Sequence, residues 1–138
     1  MELDQCINFV LTKTQQSVQQ MFKARLAPFG VTPGQYAVLK CLWDGDGKTA
    51  KQLADMLYLD GSTMTGILDR VESKGFIQKQ VDTKDRRAIR VTLTDSGRAL
   101  EAPLTQVIHD ANQEALANLA HPEGESLRTL LLKLNFGN

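Results

Sequence analysis

Apolar residues recur at every third or fourth position through residues 3–26, which is typical of one face of a long amphipathic helix. A proline at position 28 and a glycine at position 30 end this helix. A second helix is predicted for residues 32–43, because Thr32 and Gln35 can form a capping box around a proline at the first helical position.

Two shorter helices follow, with a turn between them. Thr49 and Gln52 repeat the capping-box pattern at the start of the first. The second, over about residues 62–74, has apolar residues such as Met64 and Leu68 on one side, and Gly75 is well placed to end it. The pattern therefore predicts a helix-turn-helix.

The apolar spacing then changes from helical to alternating. Residues 76–81 and 88–93 predict two strands, joined by the charged loop 82–87. Helical spacing returns after position 94, where Pro103 is expected to kink or shorten the helix and His121 to cap the last one. The chain is thus predicted to be mainly α-helical with a small antiparallel β-hairpin, in the order of a winged helix-turn-helix.

Composition adds class and charge to this outline. The length of 138 residues suits one domain, and 42% apolar and 23% charged residues are ordinary for a soluble globular protein. No stretch is long and apolar enough to span a membrane, and the first residues lack the features of a signal peptide, so we expect a cytoplasmic location. The zero net charge hides an asymmetry, since residues 48–98 carry ten basic and seven acidic side chains.

The second helix of the helix-turn-helix is the candidate for DNA recognition. Small and hydroxyl-bearing residues at its start would let it lie deep in a major groove, while two cations one turn apart would reach the phosphate backbone. The charged loop supplies three further cations for phosphate or the minor groove, and its acidic residues would hold an arginine in a fixed orientation. The candidates are Ser62, Thr63, Thr65, Gly66, Arg70, Lys74, Lys84, Asp85, Arg86 and Arg87, with Asp82 as a further acidic residue.

A run of these residues resembles the MarR (multiple antibiotic resistance regulator) family. The similarity rests on Leu68-Asp69-Arg70-Val71-Glu72, on the loop Asp82-Thr83-Lys84-Asp85-Arg86-Arg87 and on Leu93-Thr94-Asp95-Ser96-Gly97. It extends over essentially the whole chain, as a single domain 1–138 with the winged helix-turn-helix at about 32–94.

The resemblance implies an obligate homodimer that binds a pseudo-palindromic DNA operator. The flanking helices, at about residues 2–27 and 95–136, would interlock into a dimerisation layer, and their apolar stripes independently favour burial against a second copy. Arg87 matches the family's wing arginine and Asp85 the acidic residue that orients it. We expect a repressor released by a small aromatic or phenolic acid or its thioester.

The effector site is predicted from position in similar proteins, between the dimerisation layer and the DNA-binding part. There, Tyr36 would stack on an aromatic ring and Lys40 would pair with a carboxylate. The competing interpretation is that Tyr36 belongs to the core and Lys40 is solvated. The candidates are Asn8, Thr12, Gln15, Tyr36, Lys40 and His109.

Other functional classes find less support in the residues. Cys6 allows a cysteine-based oxidative-stress sensor of the same fold, although no activating neighbour stands out, and Cys41 fits a buried position. His109 and His121 form no metal-ligand motif, and no cofactor or catalytic motif is present, so we expect neither a metal nor an enzyme. A winged helix used for protein contacts remains an alternative, but it would not need three cations in its wing.

Overall fold

The computed structural model describes residues 1–134 of the chain. Within them the helices are α1 (Ile7–Leu26), α2 (Pro33–Asp44), α3 (Ala50–Met56), α4 (Gly61–Ser73), α5 (Asp95–Ala99), α6 (Glu101–Ala115) and α7 (His121–Lys133). The strands are β1 (Lys48–Thr49), β2 (Ile77–Val81) and β3 (Ile89–Leu93). The mainly helical fold with a small antiparallel sheet is therefore confirmed, while positions 135–136 of the predicted dimerisation segment lie outside the described residues.

Both predicted capping boxes are formed. The Gln35 amide donates to Thr32 Oγ1 at 3.2 Å, and the Thr32 amide donates to Gln35 Oε1 at 3.2 Å. The equivalent distances between Thr49 and Gln52 are 3.1 and 2.8 Å. Because each box satisfies two amides that have no partner within the helix, it fixes the residue at which the helix begins.

The first predicted helix is divided. A 3-10 turn, Leu3–Gln5, precedes α1, and Cys6 between them has extended backbone angles. The Glu2 amide donates to Gln5 Oε1 at 2.9 Å, so this turn carries its own cap. Periodicity alone does not detect such a break, because the apolar spacing continues across it.

The sheet has three antiparallel strands in the order β1-β3-β2. The predicted hairpin is β2 and β3, which pair from Ile77 with Leu93 to Val81 with Ile89. The third strand, β1, pairs with the other edge of β3 and was not predicted, because two residues are too short to show an alternating pattern.

The hydrophobic core lies beneath α4 and joins it to the helices on either side. The largest fully buried side chains come from α1, α2, α3, α4, the sheet and α6, and include Leu26, Leu39, Leu42, Leu53, Met64, Leu68, Ile77 and Leu104. Helix α7 contributes no buried residue. The core therefore fixes the helix-turn-helix and the hairpin firmly, while the last described helix lies outside it.

A compact joint links the end of the hairpin to the C-terminal helices. The Thr94 amide donates to the Phe76 carbonyl at 3.0 Å, and Thr94 Oγ1 accepts from the Gly97 amide at 3.1 Å. Trp43 Nε1 donates to the Gly97 carbonyl at 3.0 Å. A Cβ at Gly97 would overlap the Phe76 carbonyl oxygen, so the joint requires glycine at this position.

The C-terminal segment breaks before its proline, as expected. Helix α5 ends at Ala99 and α6 begins at Glu101, which places Pro103 in the first turn of α6, where a missing amide donor costs no helical hydrogen bond. The capping role predicted for His121 is wrong. The N-cap of α7 is Ala120, whose amide donates to the Glu123 carboxylate.

Candidate nucleic-acid interface

Helix α4 is held against the core by one side and exposes the other. Its buried residues are Met64, Leu68 and Val71. Ser62, Gly66 and Arg70 are spaced by four positions, so they lie in line on the opposite side, where Ser62 and Arg70 are exposed and Gly66 is half-buried. The exposed side therefore combines short residues near the start of the helix with one long cation a turn later.

The start of α4 is capped by a carboxylate. Asp60 Oδ1 accepts from the Thr63 amide at 2.7 Å and from Ser62 Oγ at 2.9 Å, and these donors hold the pKa of Asp60 below its usual value. Free amides at a helix start attract phosphate, but Asp60 already occupies one of them here. Thr65 Oγ1 donates to the Gly61 carbonyl at 2.9 Å, which leaves only its lone pairs for another contact.

Lys74 does not point away from the protein, as a phosphate contact would require. Its ammonium donates to the Gly30 carbonyl at 2.6 Å and to Gln35 Oε1 at 2.7 Å. A contact of Lys74 with the DNA backbone stays a prediction, and here its ammonium is directed into the fold. The reason is that α4 ends beside the loop before α2, whose carbonyl and amide oxygens attract the ammonium.

Lys79 of β2, which the sequence analysis did not single out, connects the hairpin to α4. Its ammonium pairs with Asp69 and lies 3.6 Å from Glu72 Oε1, and its backbone amide donates to Glu72 Oε2 at 2.9 Å. The hydrogen bond to Asp69 is the main cause that raises the pKa of Lys79. No short sequence spacing indicates this cluster, because it forms only when β2 returns alongside α4.

The loop between β2 and β3, here called the wing, presents its cations to solvent. Lys84, Arg86 and Arg87 are all exposed, and the Arg87 side chain is 95% accessible. Arg87 Nε lies 3.6 Å from Asp85 Oδ1, which also accepts from the Arg87 amide at 3.0 Å. The contact between the two side chains is thus single and long, so Asp85 orients Arg87 loosely and does not hold it in the expected fixed orientation.

Asp82 holds a strand arginine instead of a wing arginine. Its buried carboxylate accepts from Arg90 Nε at 2.7 Å and from the amides of Lys84 and Asp85 at 3.3 and 3.0 Å. The hydrogen bond from Arg90 is the main cause that lowers the pKa of Asp82. Arg90 also donates to the Gly47 carbonyl, so Asp82 fixes the base of the wing to β3 and to the loop before β1.

The predicted effector residues do not converge on one site in the described chain. Asn8, Thr12 and His109 are exposed, and Thr12 Oγ1 donates to the Asn8 carbonyl at 2.8 Å. A largely apolar groove of about 590 Å³ lies between α1, α6 and α7, and Gln15 is the one candidate among the residues that line it.

Tyr36 and Lys40 lie close together on α2, away from that groove. Tyr36 is half-buried, and its ring meets that of Trp43 edge to face at 6.0 Å; burial is the main cause that raises the pKa of its hydroxyl. Lys40 Nζ donates to Asp44 Oδ1 at 2.8 Å, and this bond raises the pKa of Lys40. A carboxylate ligand would therefore have to compete with Asp44 for Lys40.

The cysteines differ in environment. Cys6 is half-buried at the N-cap of α1, whereas Cys41 is buried, and its burial raises the pKa of its thiol. Within residues 1–134, three or more histidine, cysteine, aspartate or glutamate side chains nowhere gather as a metal site would need. None of the helices in these residues has the length and apolarity to cross a bilayer.

Helix-turn-helix and wing together place this chain in the class of winged-helix transcriptional regulators, and comparison with known proteins gives the family. The model of the MarR family matches residues 31–89. A probable transcriptional regulator from Pseudomonas aeruginosa has a solved structure that is 33% identical, with a TM-score of 0.91 over 97% of this chain and 100% of that one. The chain belongs to the MarR family.

Two further relatives are similar over most of their length. The organic hydroperoxide resistance transcriptional regulator of Bacillus subtilis is 28% identical over 130 residues, which cover 94% of this chain and 85% of that protein. A mutant MarR from E. coli, solved in complex with operator DNA, is 27% identical with a TM-score of 0.86, over 97% of this chain and 98% of that one.

Proposed function

We propose that this regulator binds double-stranded operator DNA as a homodimer, with α4 in a major groove and the wing in the flanking minor groove, and represses a nearby operon. The observation that carries the proposal is that the exposed side of α4 begins with short side chains and that the wing exposes its cations. The E. coli relative crystallised with operator DNA has the same fold at 27% identity.

The charges of the wing favour nucleic acid over protein as its partner. Lys84 and Arg86 make no side-chain ion pair within residues 1–134, and Arg87 makes only the long contact with Asp85. Three cations on one exposed loop repel each other, and the phosphates of a nucleic acid relieve that repulsion by neutralising them. The counterions that the nucleic acid then releases favour binding further. A protein surface would relieve it only with a matching cluster of carboxylates.

The homodimer is supported by apolar residues that the described chain leaves exposed. On α7 and at its C-cap these are Leu127, Leu130, Leu131, Leu132 and Leu134, and on the first half of α1 they are Ile7, Phe9, Val10 and Leu11. Leu11, Leu127 and Leu131 line one groove, and an exposed apolar surface of this kind marks an interaction site. A second copy placed by a two-fold axis would cover the same surface on both chains and give two copies of α4 for a pseudo-palindromic site.

We also propose that a small aromatic or phenolic acid, or its thioester, releases the protein from the operator. The groove between α1, α6 and α7 has a volume within the range of ligand pockets, and Arg128 and Gln15 add polar groups to its apolar lining. Aromatic acids, their thioesters, metal ions and peroxide should be compared by thermal shift, because a ligand that binds the folded protein raises its melting temperature.

Oxidant sensing is the second candidate for the controlling signal. The Bacillus subtilis relative is an organic hydroperoxide resistance regulator, and Cys6 is partly accessible at the start of α1. If Cys6 senses oxidants, peroxide will weaken DNA binding by the wild type but not by Cys6→Ser. Equal weakening of both proteins would contradict this candidate.

DNA binding is tested by selecting bound duplexes from a random library and then measuring their affinity for Arg87→Ala. We expect a loss of at least about tenfold, because a homodimer loses two charge-assisted contacts. Lys13→Ala, which removes one exposed cation from α1, is the matched control and should stay within about twofold of the wild type. Enrichment of no duplex would contradict the function, and an Arg87→Ala affinity equal to that of Lys13→Ala would contradict the role of the wing.

Expression of a reporter gene placed behind the selected sequence should rise when the regulator is deleted, if it is a repressor.

A further inference from the structure

The guanidinium of Arg70 lies over a gap in the exposed side of α4. Gly66 stands four residues earlier, and a Cβ built there would lie 3.7 Å from Arg70 Nη1. Side chains of a helix lean toward its N-terminus, so the guanidinium is carried about one turn toward the short residues at the start of α4. A larger side chain at position 66 would occupy the space above the helix in which the Arg70 guanidinium lies.

The Arg70 side chain also has no internal hydrogen-bond or ion-pair partner within residues 1–134, unlike Lys74 and Lys79. Its side chain is exposed and makes no hydrogen bond or ion pair within residues 1–134, whereas Lys74 bonds to the Gly30 carbonyl and Lys79 pairs with Asp69. A guanidinium without an internal partner loses nothing on transfer to a nucleic-acid acceptor except its contacts with water. Arg70 is therefore the long donor of α4 that is available for binding.

We propose that Arg70 determines sequence specificity by reading one guanine in each half-site, with its guanidinium donating to O6 and N7 in the major groove. The fork of a guanidinium matches these two acceptors, and arginine on guanine is the commonest specific contact to DNA. Gly66 permits it by leaving the helix surface open beside the base edges. This inference rests on the proposed function, and it replaces the backbone contact that sequence alone suggested for Arg70.

The carboxylate at the start of α4 favours base contact over phosphate contact at this end of the helix. Asp60 stays ionised, since its two donors lower its pKa, and an anion there repels phosphate oxygens. The start of α4 is thus better suited to the groove floor than to the backbone. The Arg70 guanidinium, directed toward that end, follows the helix into the groove, while the wing supplies phosphate contacts.

The test compares duplexes selected from a random library by the wild type, Arg70→Lys and Arg70→Ala. The wild type should require one guanine per half-site, and changing that guanine to adenine should weaken its binding roughly 5- to 150-fold. Arg70→Lys keeps the charge but loses the fork, so it should lose the guanine preference while retaining more affinity than Arg70→Ala. Replacement of the guanine by 7-deazaguanine should weaken the wild type and leave Arg70→Ala unchanged.

Position 66 provides an independent pair of variants. Gly66→Ala should keep the guanine preference, because its Cβ makes an ordinary contact with Arg70, whereas Gly66→Leu should lose the preference with Arg70 still present. A melting curve shows whether each variant is folded. If Gly66→Leu does not fold, the guanine preference of Arg70→Lys decides the test.

Uniform weakening of all sequences by Arg70→Ala, with an unchanged guanine preference and a shallower salt dependence, would show a phosphate contact and overturn the proposal. Failure of the wild type to enrich any duplex would instead overturn the proposed function, and this inference with it.

Discussion

Two regions of the molecule differ in how far their apolar residues are buried. The first is the winged lobe, residues 32–94, and the second is the open layer, which consists of the first half of α1 and of α7. In the winged lobe the buried apolar residues include Leu39, Leu42, Met64, Leu68 and Val91, and the starts of α2 and α3 and the base of the wing have internal hydrogen-bond partners. In the open layer four leucines of α7 are exposed, as is Leu134 at its C-cap. The chain thus completes its winged lobe alone and leaves the open layer uncovered, which is the surface that the proposed homodimer would bury.

The largest effect is expected from making the open layer polar. The double substitution Leu127→Asp with Leu131→Asp should raise the dissociation constant of the dimer at least about a hundredfold, because each lost leucine contact is worth roughly 1.5–3 kcal/mol. Sedimentation over a concentration series measures this. Met56→Asp changes a comparably exposed apolar residue of the winged lobe and should leave the dimer intact. A double variant that remains dimeric would show that α7 is not the interface.

The winged lobe should be disrupted from within by Gly97→Ala. The added methyl group meets the Phe76 carbonyl, so β2 and α5 have to separate, and we expect a destabilisation of about 3 kcal/mol. Denaturant unfolding at fixed protein concentration measures it. Gly61→Ala is the matched control, since its Cβ meets nothing within 4 Å, and it should be as stable as the wild type or slightly more so. Equal stability of the two variants would contradict the tight joint.

The smallest effect is a dependence on pH at the base of the wing. Folding lowers the pKa of Asp82, so its carboxylate stabilises the fold above its ordinary value of 3.8, and this contribution is lost as the pH falls through the lowered value. Asp82→Asn should therefore melt below the wild type at neutral pH, with the two melting temperatures converging in acid.

The control for Asp82 is Asp55→Asn. Asp55 is exposed and accepts no side-chain hydrogen bond within residues 1–134, so this variant should follow the wild type at every pH. If the difference between Asp82→Asn and the wild type persisted unchanged below the titration range, the carboxylate charge would not be its cause.

Local signals in the sequence were sufficient for every element of the winged lobe except β1. The Thr32 and Thr49 capping boxes join residues three positions apart, so the sequence shows both partners at once. The hairpin has strands long enough to alternate. By contrast, β1 is defined only by its pairing with β3, some forty residues later, and no local pattern announces it.

The candidate site was located from the sequence in outline but not in its charge pairs. The exposed side of α4 and the wing follow from periodicity and from the clustering of cations. Lys74 and Lys79 could not be assigned, because each is directed by groups that the fold brings beside it, Gly30 and Asp69 respectively. The effector candidates were chosen because residues at similar positions line the pocket in similar proteins. A similar position along a helix does not determine which groove the side chain lines.

The joint around Gly97 also gives the protein a built-in optical probe. Trp43 is the single tryptophan of the chain, and its indole donates across the boundary between α2 and the C-terminal helices. Any ligand, oxidant or partner that shifts those helices against the winged lobe will alter this hydrogen bond. The emission of unlabelled protein will then report the movement directly.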